Sequence, residues 1–196
     1  LQGNPDPHET VSQRIEQAAN KGYDQLRKEH QEDYQKYFGR VSLQLTDNVP
    51  SVPTDKLLTE YKAGKTNAYL EELFFQYGRY LLISSSRIGS LPSNLQGAWS
   101  QYEVSPWSGG YWHNINVQMN YWPVFNTNLS DMFDSYMAYN EAFRKLAMQK
   151  ATEYIKKNNP SALSKDGDNG WTIGTGATAF GIEAPGKHSG PGTGGF

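Results

Sequence analysis

Apolar residues recur at steps of three and four over the first part of the chain, from about residue 10 to residue 38. Gln, Glu, Lys and Arg fill the remaining faces, so the pattern predicts an amphipathic helix. Gly22 is a point at which this helix can divide in two, and Gly39 ends the pattern. Residues 41–45, VSLQL, alternate as a short strand does. The helical stripe consists of Val11, Ile15, Ala18, Ala19, Tyr23, Leu26, His30, Tyr34 and Phe38.

More helices are predicted downstream. The turn-rich segment TDNVPSVPTD places Thr54 or Asp55 as the N-cap of a short helix. A longer helix follows Thr66 or Asn67, and because it is apolar on nearly all sides we expect it to be buried between neighbouring elements.

The last predicted helices flank a proline. QMNYW begins a helix that tolerates Pro123 only near its first turn, and Ser130 is the expected N-cap of a helix that runs to about Ile155. From residue 158 onward the chain is rich in glycine and lacks periodicity, so we expect other segments to hold it in place. The predicted fold class is therefore all-α.

Composition narrows the range of functions. With 196 residues the chain is long enough for one ordinary domain, and its net charge of −2 provides no basic face for a nucleic acid. There is no run of about 18 apolar residues, the length that a membrane-spanning helix needs. The absence of cysteine excludes disulfides and thiolate zinc sites. We also find no metal-ligand spacing and no phosphate loop, so no metal and no cofactor are predicted.

Candidate chemistry is concentrated between Leu91 and Trp122, which holds four of the five tryptophans. Flat apolar faces next to uncharged hydrogen-bonding groups suit a sugar, which offers C–H patches for stacking and hydroxyls that need donors and acceptors. An equally weighted alternative is a buried aromatic cluster whose amides satisfy backbone groups in a long loop. The polar groups are Asn94, Gln96, His113, Asn114, Asn116, Gln118 and Asn120.

The order of these residues resembles the signature of glycoside hydrolase family 95, the inverting α-L-fucosidases and their α-L-galactosidase relatives. The segments that carry the resemblance are LPSNLQGAW, a Trp-Gly-rich loop and NINVQMNYWP. Two upstream segments, DYQKYFGRVSLQL and FFQYGRYLLISSSRIGSLPSNLQG, carry it as well. The resemblance spans roughly Tyr23 to Asp131. It implies part of an (α/α)6 barrel with a preceding helical linker. Residues 1–53 would be the linker with a short strand and connector, and residues 54–196 the N-terminal part of the catalytic barrel, incomplete at its C-terminus.

The resemblance also implies a catalytic role for an Asn-x-Asn motif, which here is Asn114-Ile115-Asn116. In the family this pair orients and activates the attacking water, and the general-acid glutamate and partner aspartate lie downstream, beyond residue 196. An extended backbone would place both amides on one face, with Ile115 facing the core. An amide is no base at neutral pH, so the pair needs a carboxylate to share the work. The structural alternative is an amide network that braces the loop.

Two departures from the family pattern concern the sugar. The family's fucosidases have a histidine where this chain has Trp112, and His113 stands one step out of phase, on the opposite face of an extended segment. Downstream, the family pattern has a Gly-Trp followed by paired histidines and an Asn-Thr-Asp. Of these, this chain has only the Gly-Trp, at Gly170-Trp171. Glu183 and His188 are either substitutes in a rebuilt subsite or ordinary loop residues. The choice between L-fucose and L-galactose therefore stays open.

The resemblance predicts a full-length inverting exo-glycoside hydrolase that removes α-linked L-fucose or a related sugar from glycans, in a secreted, periplasmic or cell-surface location. Its partners are carbohydrate and the remaining domains of the full-length protein, with no nucleic acid and no membrane, and the chain alone is expected to be inactive. The alternatives are a non-catalytic glycan-binding fragment that uses the same surface, and an inert structural fragment. The predicted substrate-binding residues are Asn94, Gln96, Trp99, Trp107, Trp112 and His113.

Overall fold

The amphipathic pattern of the first forty residues forms two helices in the computed structural model, α1 (His8–Lys21) and α2 (Tyr23–Phe38). Gly22 separates them with a φ of 75°, a left-handed value that glycine adopts without steric cost. The predicted division at Gly22 is thus confirmed, and α2 ends immediately before Gly39 as expected.

The structure describes residues 6–113, 115–183 and 194–195. The chain forms two compact units, Leu1–Arg40 and Val41–Phe196, of which the first contains α1 and α2. The division between a linker (1–53) and a barrel segment (54–196) concerns the larger protein and stays a prediction.

Two helices open the second unit, α3 (Thr54–Lys62) and α4 (Ala68–Ser85). The predicted cap of α4 is confirmed, because the Asn67 side chain accepts a 2.8 Å hydrogen bond from the Leu70 backbone N–H. The prediction for α3 is wrong by one position: the N-cap is Pro53, and no side chain caps the helix.

Helix α4 is less buried than its composition predicted. Leu70, Leu82 and Ile83 are buried, whereas Phe74 is 79% exposed and Tyr77 is 55% exposed. The prediction of burial on all sides is wrong for the described residues, since neighbouring elements cover only one face of the helix.

The segment Val41–Leu45 belongs to no strand among the described residues, so the predicted strand is wrong. Side chains of α4 take the place of a partner strand. Arg79 Nη1 donates to the Val41 carbonyl at 3.0 Å, and the Glu72 carboxylate accepts from the backbone N–H groups of Leu45 and Thr46. Because these backbone groups are satisfied by side chains, the alternating sequence is held without a sheet.

Two more helices follow the aromatic loop, α5 (Asn116–Tyr121) and α6 (Phe133–Asn158). Helix α5 ends before Pro123, so the prediction that Pro123 lies near the first turn of this helix is wrong. Ser130 starts a short 3-10 turn with no side-chain cap, and the predicted N-cap is wrong as well. The end of α6 near Ile155 is predicted to within a few residues.

Buried hydroxyl groups join α4, α5 and α6. The Ser86 hydroxyl lies 2.8 Å from the Tyr121 hydroxyl and 2.6 Å from the Ser135 hydroxyl. Tyr121 Oη also accepts a 2.8 Å hydrogen bond from the Ser93 backbone N–H. This network fixes the start of the LPSN loop against the helices that lie beneath it.

The glycine-rich tail folds back onto the loop through very short strands. Strand β1 (Tyr111–Trp112) pairs antiparallel with β3 (Gly176–Ala177), and β2 (Ile173–Gly174) pairs with β4 (Gly194–Gly195). The Tyr139 hydroxyl of α6 donates to the Thr178 carbonyl at 2.8 Å. Over its described residues the tail is therefore held by other segments, as predicted.

The described residues are mostly helical, which confirms the all-α class. No described helix combines the length and the apolarity needed to span a bilayer. In the same residues, no three or more His, Asp or Glu side chains are grouped closely enough to hold a metal ion.

Candidate active site

The LPSNLQGAW segment forms one wall of a hollow of about 440 Å³, closed from below by α4 and α5. The hollow combines an indole, three side-chain amides and two hydroxyl groups. Three of the predicted sugar-binding residues are brought together here. The side chains concerned are Asn94, Gln96, Trp99, Asn120, Ser85 and Ser93.

The loop at the hollow is shaped by Asn94. Its backbone exchanges two 3.1 Å hydrogen bonds with Gly97, whose φ is 79°. Its Nδ2 donates to the Gly109 carbonyl at 3.0 Å, and its Oδ1 accepts from the Gln96 backbone N–H at 2.8 Å. Both polar atoms of the Asn94 amide are thus engaged by the backbone. For Asn94 the structure favours the role of loop brace, the alternative that the sequence left open.

Gln96 differs from Asn94. Its Nε2 donates to the Pro106 carbonyl at 3.2 Å, while its Oε1 is buried and has no hydrogen-bond partner among the described residues. A buried acceptor without a partner costs about 1–3 kcal/mol. Solvent does not reach this oxygen, so a sugar hydroxyl can bond to it only if the Gln96 side chain turns toward the hollow.

The tryptophans are divided between the hollow and its surroundings. Trp99 lines the hollow and is 49% exposed, so a face remains available for stacking. Trp107 and Trp112 do not line it: Trp107 is 68% exposed, and Trp112 Nε1 donates to the Trp107 carbonyl at 3.1 Å. The backbone of Trp107 is left-handed, with a φ of 53°. Of the three predicted substrate-binding tryptophans, Trp99 therefore lines this hollow, and Trp107 and Trp112 do not.

The Asn-x-Asn segment is helical at its second asparagine. Asn114 lies outside the described residues. Ile115 has a φ of 90° and is 48% exposed, and Asn116 is the first residue of α5. The predictions of an extended backbone and of Ile115 facing the core are wrong, because the Ile115 carbonyl accepts the first hydrogen bond of α5, from Met119.

The helical start gives Asn116 a different neighbour. Residues four apart on a helix share a face, so Asn116 lies one turn from Asn120, whose side chain lines the hollow. Asn116 is exposed, and its side chain has no hydrogen-bond partner among the described residues. Asn120 Nδ2 donates to the Asn94 carbonyl at 2.9 Å. The sequence singled out Asn120 as a polar group of this segment but did not place it among the predicted site residues; its four-residue spacing from Asn116 was the available signal.

His113 is wholly buried beneath the segment. Its ring stacks with those of Tyr136 and Tyr139, at centroid distances of 6.0 Å and 6.3 Å. Desolvation lowers the pKa of His113 to about 4, partly opposed by the hydrogen bond to the Tyr111 carbonyl. The imidazole is thus neutral at physiological pH. Solvent does not reach the ring, so its placement gives no support to direct contact with a sugar.

Residues 22–194 match the family model described as Glycosyl hydrolase family 95 catalytic domain. Among curated proteins, Probable alpha-fucosidase A of Aspergillus niger is 44% identical over 135 residues, which is 68% of this chain and 17% of that protein.

Two other curated relatives also carry the name of an α-fucosidase. Probable alpha-fucosidase A of Aspergillus oryzae is 44% identical over 140 residues, which is 69% of this chain and 19% of the relative. Alpha-L-fucosidase 2 of Arabidopsis thaliana is 38% identical over 143 residues, covering 70% of this chain and 17% of the relative. The chain therefore spans less than a fifth of the length of these curated relatives.

Proposed function

This chain belongs to glycosyl hydrolase family 95, and from that premise we propose that it contributes the water-orienting side of the active site in an inverting exo-glycosidase. The proposed substrate is a glycan with terminal α-linked L-fucose, or a related sugar such as L-galactose. The observation that carries the proposal is the hollow with Trp99, Gln96 and Asn120 in its lining and Asn116 one helical turn away.

The proposed mechanism assigns each group one task. Inversion needs an acid on the leaving oxygen and an activated water on the opposite face of the sugar, with carboxyls about 6.5–9.5 Å apart. The amide oxygens of Asn114 and Asn116 accept hydrogen bonds from the water and fix its direction. They cannot remove its proton at neutral pH, because an amide oxygen is only an acceptor. A protonated carboxyl group and a carboxylate, both supplied by the rest of the protein, act as the acid and the base.

The sugar itself is proposed to lie in the hollow. The indole face of Trp99 stacks on the C–H patch of the ring, and the Gln96 amide, turned toward the hollow, accepts a hydrogen bond from a hydroxyl. Trp107 and Trp112 remain predicted contacts in the assembled site, and so does His113, whose ring would have to leave its buried position to reach the sugar. The proposal also includes residues 1–53 as linker, residues 54–196 as the first part of the barrel, and a secreted, periplasmic or cell-surface location.

The sugar-binding part of the proposal is tested by titrating L-fucose and L-galactose into the 196-residue chain and following tryptophan fluorescence. Trp99→Ala is expected to weaken affinity far more than it lowers thermal stability. Trp122→Ala is the matched control, because Trp122 is similarly exposed but does not line the hollow. Equal losses of affinity and stability in Trp99→Ala would instead favour a packing role for this indole.

A non-catalytic glycan-binding role is the second candidate, and one observation favours it. Among the described residues that line the hollow there is no carboxylate. Proton NMR of the sugar first released by the full-length protein distinguishes the two functions. Release of the β-anomer of fucose from an α-linked substrate, lost in Asn116→Ala, supports the inverting enzyme. Binding without any release by the full-length protein supports the binding module.

A further inference from the structure

The residue between the two asparagines of the Asn-x-Asn motif has a strained backbone. Ile115 has a φ of 90° and a ψ of −45°. For a β-branched residue a positive φ is a genuine outlier, and these angles lie near those of the rare, strained γ-turn. Such a conformation persists only where the surrounding structure holds it. Because the angles of a middle residue set the relative orientation of its two neighbours, whatever holds Ile115 also sets the geometry of the motif.

The side chain of Gln118 makes one of the contacts that hold Ile115. The Ile115 backbone N–H donates to Gln118 Oε1 at 3.0 Å, and the Ile115 carbonyl accepts from the Met119 backbone N–H at 2.8 Å. Among the described residues, Gln118 Oε1 is the only acceptor for this N–H. One side-chain oxygen therefore fixes the amide group of the strained residue.

This hydrogen bond follows from the place of Gln118 in α5. Ile115 is the N-cap of the helix, and Gln118 is its third residue. In a capping box, a Glu or Gln at the third position reaches back to the backbone N–H of the N-cap. The reciprocal bond needs a side-chain acceptor at the N-cap, which isoleucine does not have. Of the two bonds of a capping box, only the one made by Gln118 is possible here.

Helix α5 is itself anchored, so Gln118 acts from a fixed support. Val117 and Tyr121, four residues apart on one face of the helix, are both buried. The Tyr121 hydroxyl lies 2.8 Å from the Ser86 hydroxyl of the buried network. Gln118 is half-buried and lines a groove of about 480 Å³ together with Trp122. The acceptor that holds Ile115 is thus in place before any ligand binds.

The side chain of Ile115 cannot provide the same restraint. It is 48% exposed, so packing holds it only in part, and the backbone bond to Gln118 carries a correspondingly larger share of the restraint. The precision matters because a displacement of about 1 Å of a group that positions a reactant can lower the rate on the order of 100-fold.

We propose that Gln118 is a positioning residue for the hydrolytic step: its side-chain oxygen holds the strained backbone of Ile115 and thereby keeps the amides of Asn114 and Asn116 aimed at the attacking water. This inference rests on the proposed function, which assigns the water to these two amides. Gln118 contacts neither the water nor the sugar in this assignment, and it acts through the backbone of the motif.

The test measures kcat, KM and the melting temperature of the full-length protein, with an aryl α-L-fucoside and an aryl α-L-galactoside as substrates. Gln118→Met keeps the length of the side chain and replaces the amide by a thioether, which is only a weak acceptor. Gln118→Glu keeps an acceptor oxygen and is the other residue typical of a capping box. Gln149→Met, on the exposed face of α6, is the matched control.

Gln118→Met should lower kcat by about tenfold to 100-fold and leave KM close to the wild-type value, because the sugar contacts in the hollow are unchanged. Gln118→Glu should retain most of the wild-type kcat, and Gln149→Met should match the wild type. Hydrogen exchange of the Ile115 amide in the 196-residue chain should be faster in Gln118→Met than in the wild type or in Gln118→Glu.

The contrary results separate the two proposals. Unchanged kcat in Gln118→Met, with Asn116→Ala inactive, would overturn the positioning role and leave the proposed function intact. A lower melting temperature with unchanged kcat would make Gln118 a helix cap only. An equal fall in kcat in Gln118→Met and Gln118→Glu would show that the acceptor is not the cause. Full activity of Asn116→Ala, or cleavage of neither substrate by the wild type, would overturn the proposed function and this inference with it.

Discussion

Acidification should destabilise the second unit of this protein through His113. The ring is wholly inaccessible to solvent, and burial lowers the pKa of His113 to about 4, with the bond to the Tyr111 carbonyl opposing part of that shift. In the unfolded chain the ring is solvated and its pKa is about 6.5. Above the unfolded pKa the imidazole is neutral in both states, so no stability depends on its titration there.

Below that pKa the unfolded state binds the proton and the folded state does not. Stability is therefore lost as the pH falls from the unfolded pKa toward the folded pKa. Each unit of difference corresponds to about 1.4 kcal/mol, so the full effect approaches about 3 kcal/mol. Roughly 2 kcal/mol of it should be lost between about pH 7.5 and about pH 5.

Urea unfolding at these two pH values measures the difference. His113→Phe preserves an aromatic ring between Tyr136 and Tyr139 but cannot titrate, so its stability should change less with pH than that of the wild type. His30→Gln, at an exposed histidine, should behave as the wild type does. An identical pH dependence in the wild type and in His113→Phe would refute the assignment of acid sensitivity to this ring.

Three other predictions concern packing, capping and turnover. Tyr121→Phe should lower the free energy of unfolding by about 1–3 kcal/mol, because it leaves the buried Ser93 N–H without its 2.8 Å acceptor, whereas Tyr77→Phe on an exposed ring should change it little; equal effects in urea unfolding would contradict this. Asn67→Ala should remove about 1 kcal/mol from the stability of α4, measurable by the same method against Asn48→Ala as an exposed control, and no difference between the two variants would contradict a capping role. The chain alone should release no fucose from an α-fucoside in a coupled assay; release that is abolished by Asn116→Ala would contradict the assignment of the acid to the rest of the protein.

Much of the helical framework could be predicted from local signals. The stripe that ends at Phe38, the break at Gly22 and the cap at Asn67 depend on residues close together in the chain, and each was predicted correctly. The prediction of a strand at VSLQL was wrong because the groups that bind its backbone are distant in the sequence. Arg79 and Glu72 lie more than 25 residues away, and their side chains make the hydrogen bonds that a partner strand would have made. Period-two alternation alone does not reveal this replacement.

The candidate site was predicted by residue type better than by geometry. Asn94, Gln96 and Trp99 line one hollow, yet the Asn94 amide turned out to be a backbone brace. The extended conformation expected at the Asn-x-Asn motif depended on residue spacing, whereas the real constraint is the start of α5 at Asn116. The pairing of Trp112 with Gly176 could not be predicted either, because it joins segments that are distant in the sequence.

The central claim is that the side-chain amides of the Asn-x-Asn motif face the sugar. Side-chain amide resonances in a ¹H–¹⁵N spectrum, recorded while L-fucose is added, test this claim most directly. We expect the Asn114 and Asn116 amide signals to move in parallel, with the dissociation constant given by tryptophan fluorescence, while the exposed Asn48 signal stays still. Saturable binding that leaves both motif signals unmoved would contradict the account.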